Sequence, residues 1–217
     1  MELDDFKLET FFARWEFTVR YLLCSSDVEP VSLRDLLALA EPEHRALWDD
    51  LSLGYTESRG HPELRREIAA LYREVSPDQV IVCSGAEEAI FVVMNVVCRA
   101  GDHAVVVTPC YQSLFTIPRA AGAEVTAVPL DRERGWALDL DRLAAAMTPR
   151  TRLIVVNFPH SPTGALLDRA SFDRLVGLAE RTRAYLFCDE VYRLLEHDPA
   201  DRPLPASTCP TGASASA

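Results

Sequence analysis

The sequence predicts an α/β fold: three layers, helix–sheet–helix, around a mostly parallel sheet. Apolar runs of strand length recur along the chain, at Val80–Cys83, Ala104–Thr108, Val125–Pro129, Leu153–Phe158 and Tyr185–Cys188. Stretches with apolar residues at three- and four-residue spacing lie between them, which is the period of a helix packed on one side. The strand runs are continuous rather than alternating, so both faces of the sheet are to be covered.

The elements follow in order. Residues 1 to about 50 read as an arm and helices, with Leu33, Leu36, Leu37 and Leu39 making an apolar face at helical spacing. Pro62 to Tyr72 is an amphipathic helix through Leu64, Ile68, Leu71 and Tyr72, with Pro62 suited to its first turn. Strand Val80–Cys83 leads into a helix from Glu87 to Arg99, and strand Ala104–Thr108 into a helix from Ser113 to Ala121. Strand Val125–Pro129 precedes a helix from Asp139 to Met147, whose aspartates fall where the positive end of the helix dipole favours them. Strand Leu153–Phe158, a helix from Ala170 to Arg183 and strand Tyr185–Cys188 complete the alternation. This divides the chain into an N-terminal arm with helices (1–50), the α/β region (51–200) and a tail (201–217). From Pro203 the tail has neither charge nor periodicity, and it reads as disordered or out of frame.

Composition narrows the function. The 217 residues are 48% hydrophobic and 25% charged, enough apolar material for a sizeable core. A net charge of −11 opposes binding to nucleic acid or an anionic membrane. No segment reaches the roughly 20 apolar residues that span a bilayer. The start, Met1-Glu2-Leu3-Asp4-Asp5, is acidic where a targeting signal is basic, and the expectation is a cytoplasmic protein. The six cysteines form no C-x-x-C pair, which argues against a zinc site or a disulfide framework. Cys83 and Cys188 read as small buried hydrophobes, and Cys110, beside Tyr111, as the cysteine nearest a site.

Ligands of an open α/β sheet lie at the carboxyl ends of its strands, and four such ends carry chemistry here. Ser84-Gly85-Ala86-Glu87 opens a helix; it is either a phosphate cradle of backbone amides or a tight turn. Pro109-Cys110-Tyr111 offers an aromatic face, either to a planar cofactor or as an ordinary cap on the sheet. Asn157 to Gly164 is a polar, proline-bounded turn whose His160, taken alone, reads as a surface or turn histidine. Asp189 ends the last strand, where a buried carboxylate calls for a cation: a protonated pyridine nitrogen or an internal arginine.

Taken together and in order, Tyr55-Thr-Glu-Ser-Arg-Gly60, Ser-Gly-Ala-Glu-Glu-Ala, Pro-x-Tyr, Asn-x-Pro-x-x-Pro-Thr-Gly and Asp-Glu-x-Tyr resemble the class I/II aminotransferases. These are fold-type I enzymes dependent on pyridoxal 5'-phosphate (PLP), and the likeness runs from about residue 50 to 197. It implies an incomplete PLP-binding large domain that acts on an amino acid and a 2-oxo acid. It also implies roles: Gly85, Ala86 and Glu87 hold the cofactor phosphate through backbone amides, and Tyr111 stacks on the ring. Asp189 pairs with the ring nitrogen, Tyr192 bonds the ring's phenolic oxygen, and Tyr55 reaches the phosphate of the neighbouring subunit of a homodimer.

Two departures stand out. Where the family has an asparagine donating to the phenolic oxygen, this chain has Ser161, a shorter donor. Lys7 is its one lysine, whereas the resemblance puts the family's Schiff-base lysine in a Ser-x-Ser-Lys motif beyond Asp-Glu-x-Tyr. The expectation is therefore an aminotransferase-family chain that is inactive by itself, with no catalytic residue assigned. The other readings are a different PLP reaction on the same fold (C–S lysis, decarboxylation or cyclisation) or a lysine-less binding module.

Overall fold

The computed structural model describes residues 3–73 and 75–198, so the tail expected over 201–217 lies outside the described residues. Four helices come first: α1 (Lys7–Trp15), α2 (Leu33–Ala38), α3 (Pro42–Asp49) and α4 (Pro62–Ala70). Then α5 (Ala86–Val97), β1 (His103–Thr108), α6 (Gln112–Ala120), β2 (Glu124–Pro129), α7 (Leu140–Ala146), β3 (Thr151–Asn157), α8 (Arg169–Thr182) and β4 (Tyr185–Asp189) form an α/β unit. The strands make one sheet in the order β2-β1-β3-β4, every pair parallel.

Alternation along each strand divides the core between the two faces. Ala104, Val106, Leu153, Val155 and Phe187 face α5 and α6, where they pack with Ile90, Met94, Leu114 and Ile117. Val105, Val107, Ile154, Val156, Leu186 and Cys188 face α7 and α8 and meet Leu143, Phe172 and Leu175. Each buried Val, Leu, Ile, Met or Phe among them contributes about 1.5–3 kcal/mol, which explains why the strand runs are apolar without a break. Caps set the helix starts on this frame. Asp139 accepts from the amides of Asp141 and Arg142 (both 3.0 Å) at α7, and Asp168 accepts from that of Ser171 (2.7 Å) at α8.

Val80–Cys83 is not a strand. A strand needs a neighbour to complete its ladder, and here the backbone bond that reaches another segment is Val82 N–H to Arg59 O (3.0 Å). The segment lies instead against Gly60, whose φ of +102° and contact with Val82 leave no room for a Cβ. Ile81 is therefore largely exposed, and Cys83 is half-buried rather than a core residue. The α2 helix forms as its spacing predicts, but Leu33, Leu36 and Leu39 remain exposed because no described element packs on them.

His103 ties the amino-terminal ends of three strands. Its Nδ1 lies 2.8 Å from Thr151 Oγ1 on β3 and its Nε2 2.8 Å from Thr126 Oγ1 on β2. Burial holds its pKa below the ordinary value, with Glu124 opposing that shift and Arg150 adding to it. Burial does the same to His160. The unfolded chain therefore binds more protons than the folded one as pH falls below about 6.5. Stability should be level near neutrality and then fall by up to about 1.4 kcal/mol per pH unit for each histidine. Because burial raises the pKa of Asp189 and so adds an opposing slope, urea unfolding of the Asp189→Asn chain between pH 7.5 and 5 checks this; a rise in that variant's stability as pH falls over that range would contradict it.

Candidate active site

The period of the strand decides where Asp189 points. It lies two residues after Phe187, so it shares the α5/α6 face of the sheet, and it ends β4 opposite Asn157 of β3. Asp189 is 5% exposed. Its Oδ1 accepts from Val191 N–H (3.1 Å), and among the described residues no cationic side chain pairs with it. Burial raises its pKa; the Val191 bond partly offsets this, and the charge of Glu87 adds to it.

Glu87 reaches this end of the sheet from the first turn of α5. Gly85 precedes that helix with φ +94° and ψ 166°, a conformation that L side chains rarely adopt, and the first-turn amides that follow have no partner within the helix. The carboxylates beside them are occupied. Glu87 accepts from Ser113 O–H (2.9 Å), and Glu88 folds back onto the amide of Ser84.

Tyr111 stands at the start of α6. Its hydroxyl donates to Glu9 (2.9 Å), and its ring lies 4.9 Å from that of Phe6, tilted by 51°. Burial, the Glu9 bond and the charges of Glu87 and Asp189 all raise its pKa. Burial, helped by Asp189, pushes the thiol of the neighbouring, half-buried Cys110 up to about 11. The arm is anchored further by Gln112, which bonds both Lys7 N–H (3.1 Å) and Asp5 O (2.9 Å), and by an Arg119–Asp4 ion pair.

The turn after β3 is built on Asn157, which is 3% exposed. Its amide donates to Asp189 O (2.9 Å), and its Oδ1 accepts from Ser161 N–H (2.9 Å). One side chain thus ties the Ser161 turn to the strand end that bears Asp189. Of the two readings its sequence context left open, surface or turn histidine, His160 is the second: it is 3% exposed inside this turn.

Glu87, Cys110, Tyr111 and Asp189 are close enough to interact electrostatically, with Gly85, Ala86 and Ser161 on the adjoining turns. Tyr192 is half-buried with its hydroxyl 3.4 Å from Ser26 O, and Tyr55 is fully exposed, in contact with none of these. The sequence left Asn157 and His160 without roles of their own, although their lodging in a turn among prolines was a signal. The contact of Phe6 and Glu9 with Tyr111 spans some hundred residues and had no local sign. Among the described residues, no group of acidic, histidine or cysteine side chains is arranged to hold a metal ion, and no helix is long and apolar enough to cross a membrane.

A buried carboxylate without a cation, beside an aromatic ring and a glycine-led helix start, fits a planar cationic ring that carries an anionic arm. Comparison with known proteins shows the family. Residues 25–209 match the family model "Aminotransferase class I and II". The chain is similar to the arginine–pyruvate transaminase of Pseudomonas aeruginosa, at 32% identity over 201 residues, 86% of this chain and 50% of the relative. It is 37% identical over 193 residues to capreomycidine synthase of Streptomyces vinaceus, 88% of this chain and 49% of the relative. Among solved structures, a PLP-dependent aminotransferase from Streptococcus suis superposes with a TM-score of 0.90 at 29% identity, covering 100% of this chain and 58% of that one. Thermus thermophilus aspartate aminotransferase with maleate gives 0.73 at 31% identity, covering 80% and 46%. The chain spans about half the length of the curated relatives it matches.

Proposed function

The chain belongs to the class I and II aminotransferases, a PLP-dependent family, and from that premise we propose that it supplies the non-covalent part of a PLP site. The reaction served is amino-group transfer between an amino acid and a 2-oxo acid. The observation that carries this reading is Asp189, a desolvated carboxylate with no cation of its own among the described residues. When bound, PLP supplies an electron-withdrawing ring that stabilises negative charge at the substrate's α-carbon.

The chain's residues divide the work of binding. Asp189 keeps the ring nitrogen protonated by pairing with it. Tyr111 stacks on the ring, and the amides of Gly85, Ala86 and Glu87 bind the phosphate. The hydroxyls of Ser161 and Tyr192 bond the phenolic oxygen. Tyr55, exposed and apart from the cluster, serves the phosphate of a neighbouring copy in a homodimer. Phe17, Leu23, Leu39 and Leu53, each at least 80% exposed, support such a partner around residues 1–50 and the start of the 51–200 domain. The compartment is the cytoplasm.

These 217 residues by themselves bind the cofactor without turning it over. Lys7, the one lysine, sits in the arm that packs on α6, and its backbone rather than its side chain is what Gln112 holds. Titrating the purified chain with PLP should give saturable binding that gel filtration reverses and borohydride does not fix to the protein. Absence of saturable binding would overturn the reading. Transaminase turnover that Asp189→Ala abolishes would overturn the inactivity.

A further inference from the structure

We propose that His160 is a positioning residue that holds the Tyr111 turn in register with the Ser161 turn; the proposal rests on the PLP reading above. The hydrogen bonds define the ring's state. His160 Nε2 lies 2.8 Å from Pro109 O, a carbonyl that only accepts, so Nε2 carries the proton. Nδ1 must then accept, and it does so from the Thr163 hydroxyl at 2.7 Å. Thr163 Oγ1 in turn accepts from Ala165 N–H (3.2 Å), so the hydroxyl's direction is fixed as well.

The backbone of the turn closes around the ring. His160 N–H donates to Ala165 O (2.9 Å), and Gly164 N–H donates to His160 O (2.8 Å). The ring is 5.7 Å from that of Phe158, and the residue is 3% exposed. Its far side reaches 51 residues back to Pro109, two positions before Tyr111. Proline has no N–H, so the carbonyl of Pro109 is the hydrogen-bonding group its backbone offers to another element. His160 thus joins the loop after β1 to the loop after β3, and Asn157 joins the latter to the end of β4. The ring-stacking face, the phenolic-oxygen donor and the ring-nitrogen carboxylate are held as one unit by these two side chains.

The two bonds can be separated by amide isosteres. His160→Gln places an amide near Nε2 and can keep the bond to Pro109; His160→Asn places one near Nδ1 and keeps only Thr163. In the purified chain, His160→Asn should weaken PLP binding by about tenfold, the equivalent of one net hydrogen bond, and His160→Gln by less than about threefold. Amide exchange at residues 110–112 of the ligand-free protein should quicken in His160→Asn and stay close to the parent in His160→Gln. Equal PLP affinities for the two variants, or losses that only follow their melting temperatures, would overturn the proposal. If the unaltered chain shows no saturable binding, the cofactor reading fails. The exchange rates then still decide separately whether the Pro109 bond holds the Tyr111 turn.

Discussion

Asp189→Asn should stabilise the ligand-free chain and at the same time loosen its hold on PLP. The carboxylate is desolvated and has Glu87 nearby rather than a cation, so burial costs the folded state free energy that a neutral amide avoids. Asparagine can still accept from Val191 N–H, so the one side-chain bond survives. The gain should be about 1–2 kcal/mol in urea unfolding near neutral pH. It should also depend on pH with a known sign. The folded-state pKa is raised, so the parent chain loses stability as pH climbs from the ordinary carboxylate range through that raised value. The variant lacks this slope. This is opposite in sign to the histidine effect, in which stability is lost as pH falls.

Binding should move the other way. Removing one member of a buried charge pair costs about 2–5 kcal/mol, at least a 30-fold loss of PLP affinity. Improved stability with weakened binding is the mark of a group kept for a ligand. If the variant is less stable than the parent and binds PLP equally well, Asp189 is a structural residue.

Phe187→Ala should be the most damaging single truncation in the sheet. Phe187 is 2% exposed, the largest of the fully buried side chains, and belongs to the cluster that joins β4 to α5 and α6. Such a truncation costs about 3–5 kcal/mol, set against a total stability of about 5–15 kcal/mol for a natural domain. Because Phe187 shares a face with Asp189, the cavity would also free the carboxylate to shift. Phe17→Ala, at a side chain 89% exposed, is the control and should stay within about 0.5 kcal/mol of the parent. Equal losses for the two variants in guanidinium unfolding would refute this assignment of the core.

The sequence by itself determined the layer architecture, four of the five strands and the strand ends at which polar groups gather. These depend on local quantities. A continuous apolar run such as Val105–Val107 reports burial on both faces, and three- to four-residue spacing reports one buried helix face. The place of Asp189 was legible for the same reason: a carboxylate that directly ends an apolar strand is visible along the chain, and the structure buries it there.

Only the tertiary structure decided what depends on a partner distant in sequence. Val80–Cys83 has the composition of a strand, but a ladder requires a neighbour, and this segment lies against Gly60 instead. The Leu33–Leu39 face forms a helix, yet nothing among the described residues covers it. Asn157 faces Asp189 only because β3 and β4 pair in that register, and a one-residue slip would turn its side chain to the other face. His160 is buried and reaches Pro109 O, rather than standing at the surface of its turn, because the β1 and β3 turns meet at one end of a parallel sheet. Pairing and register are set by contacts between residues tens of positions apart, and local periodicity carries no record of them.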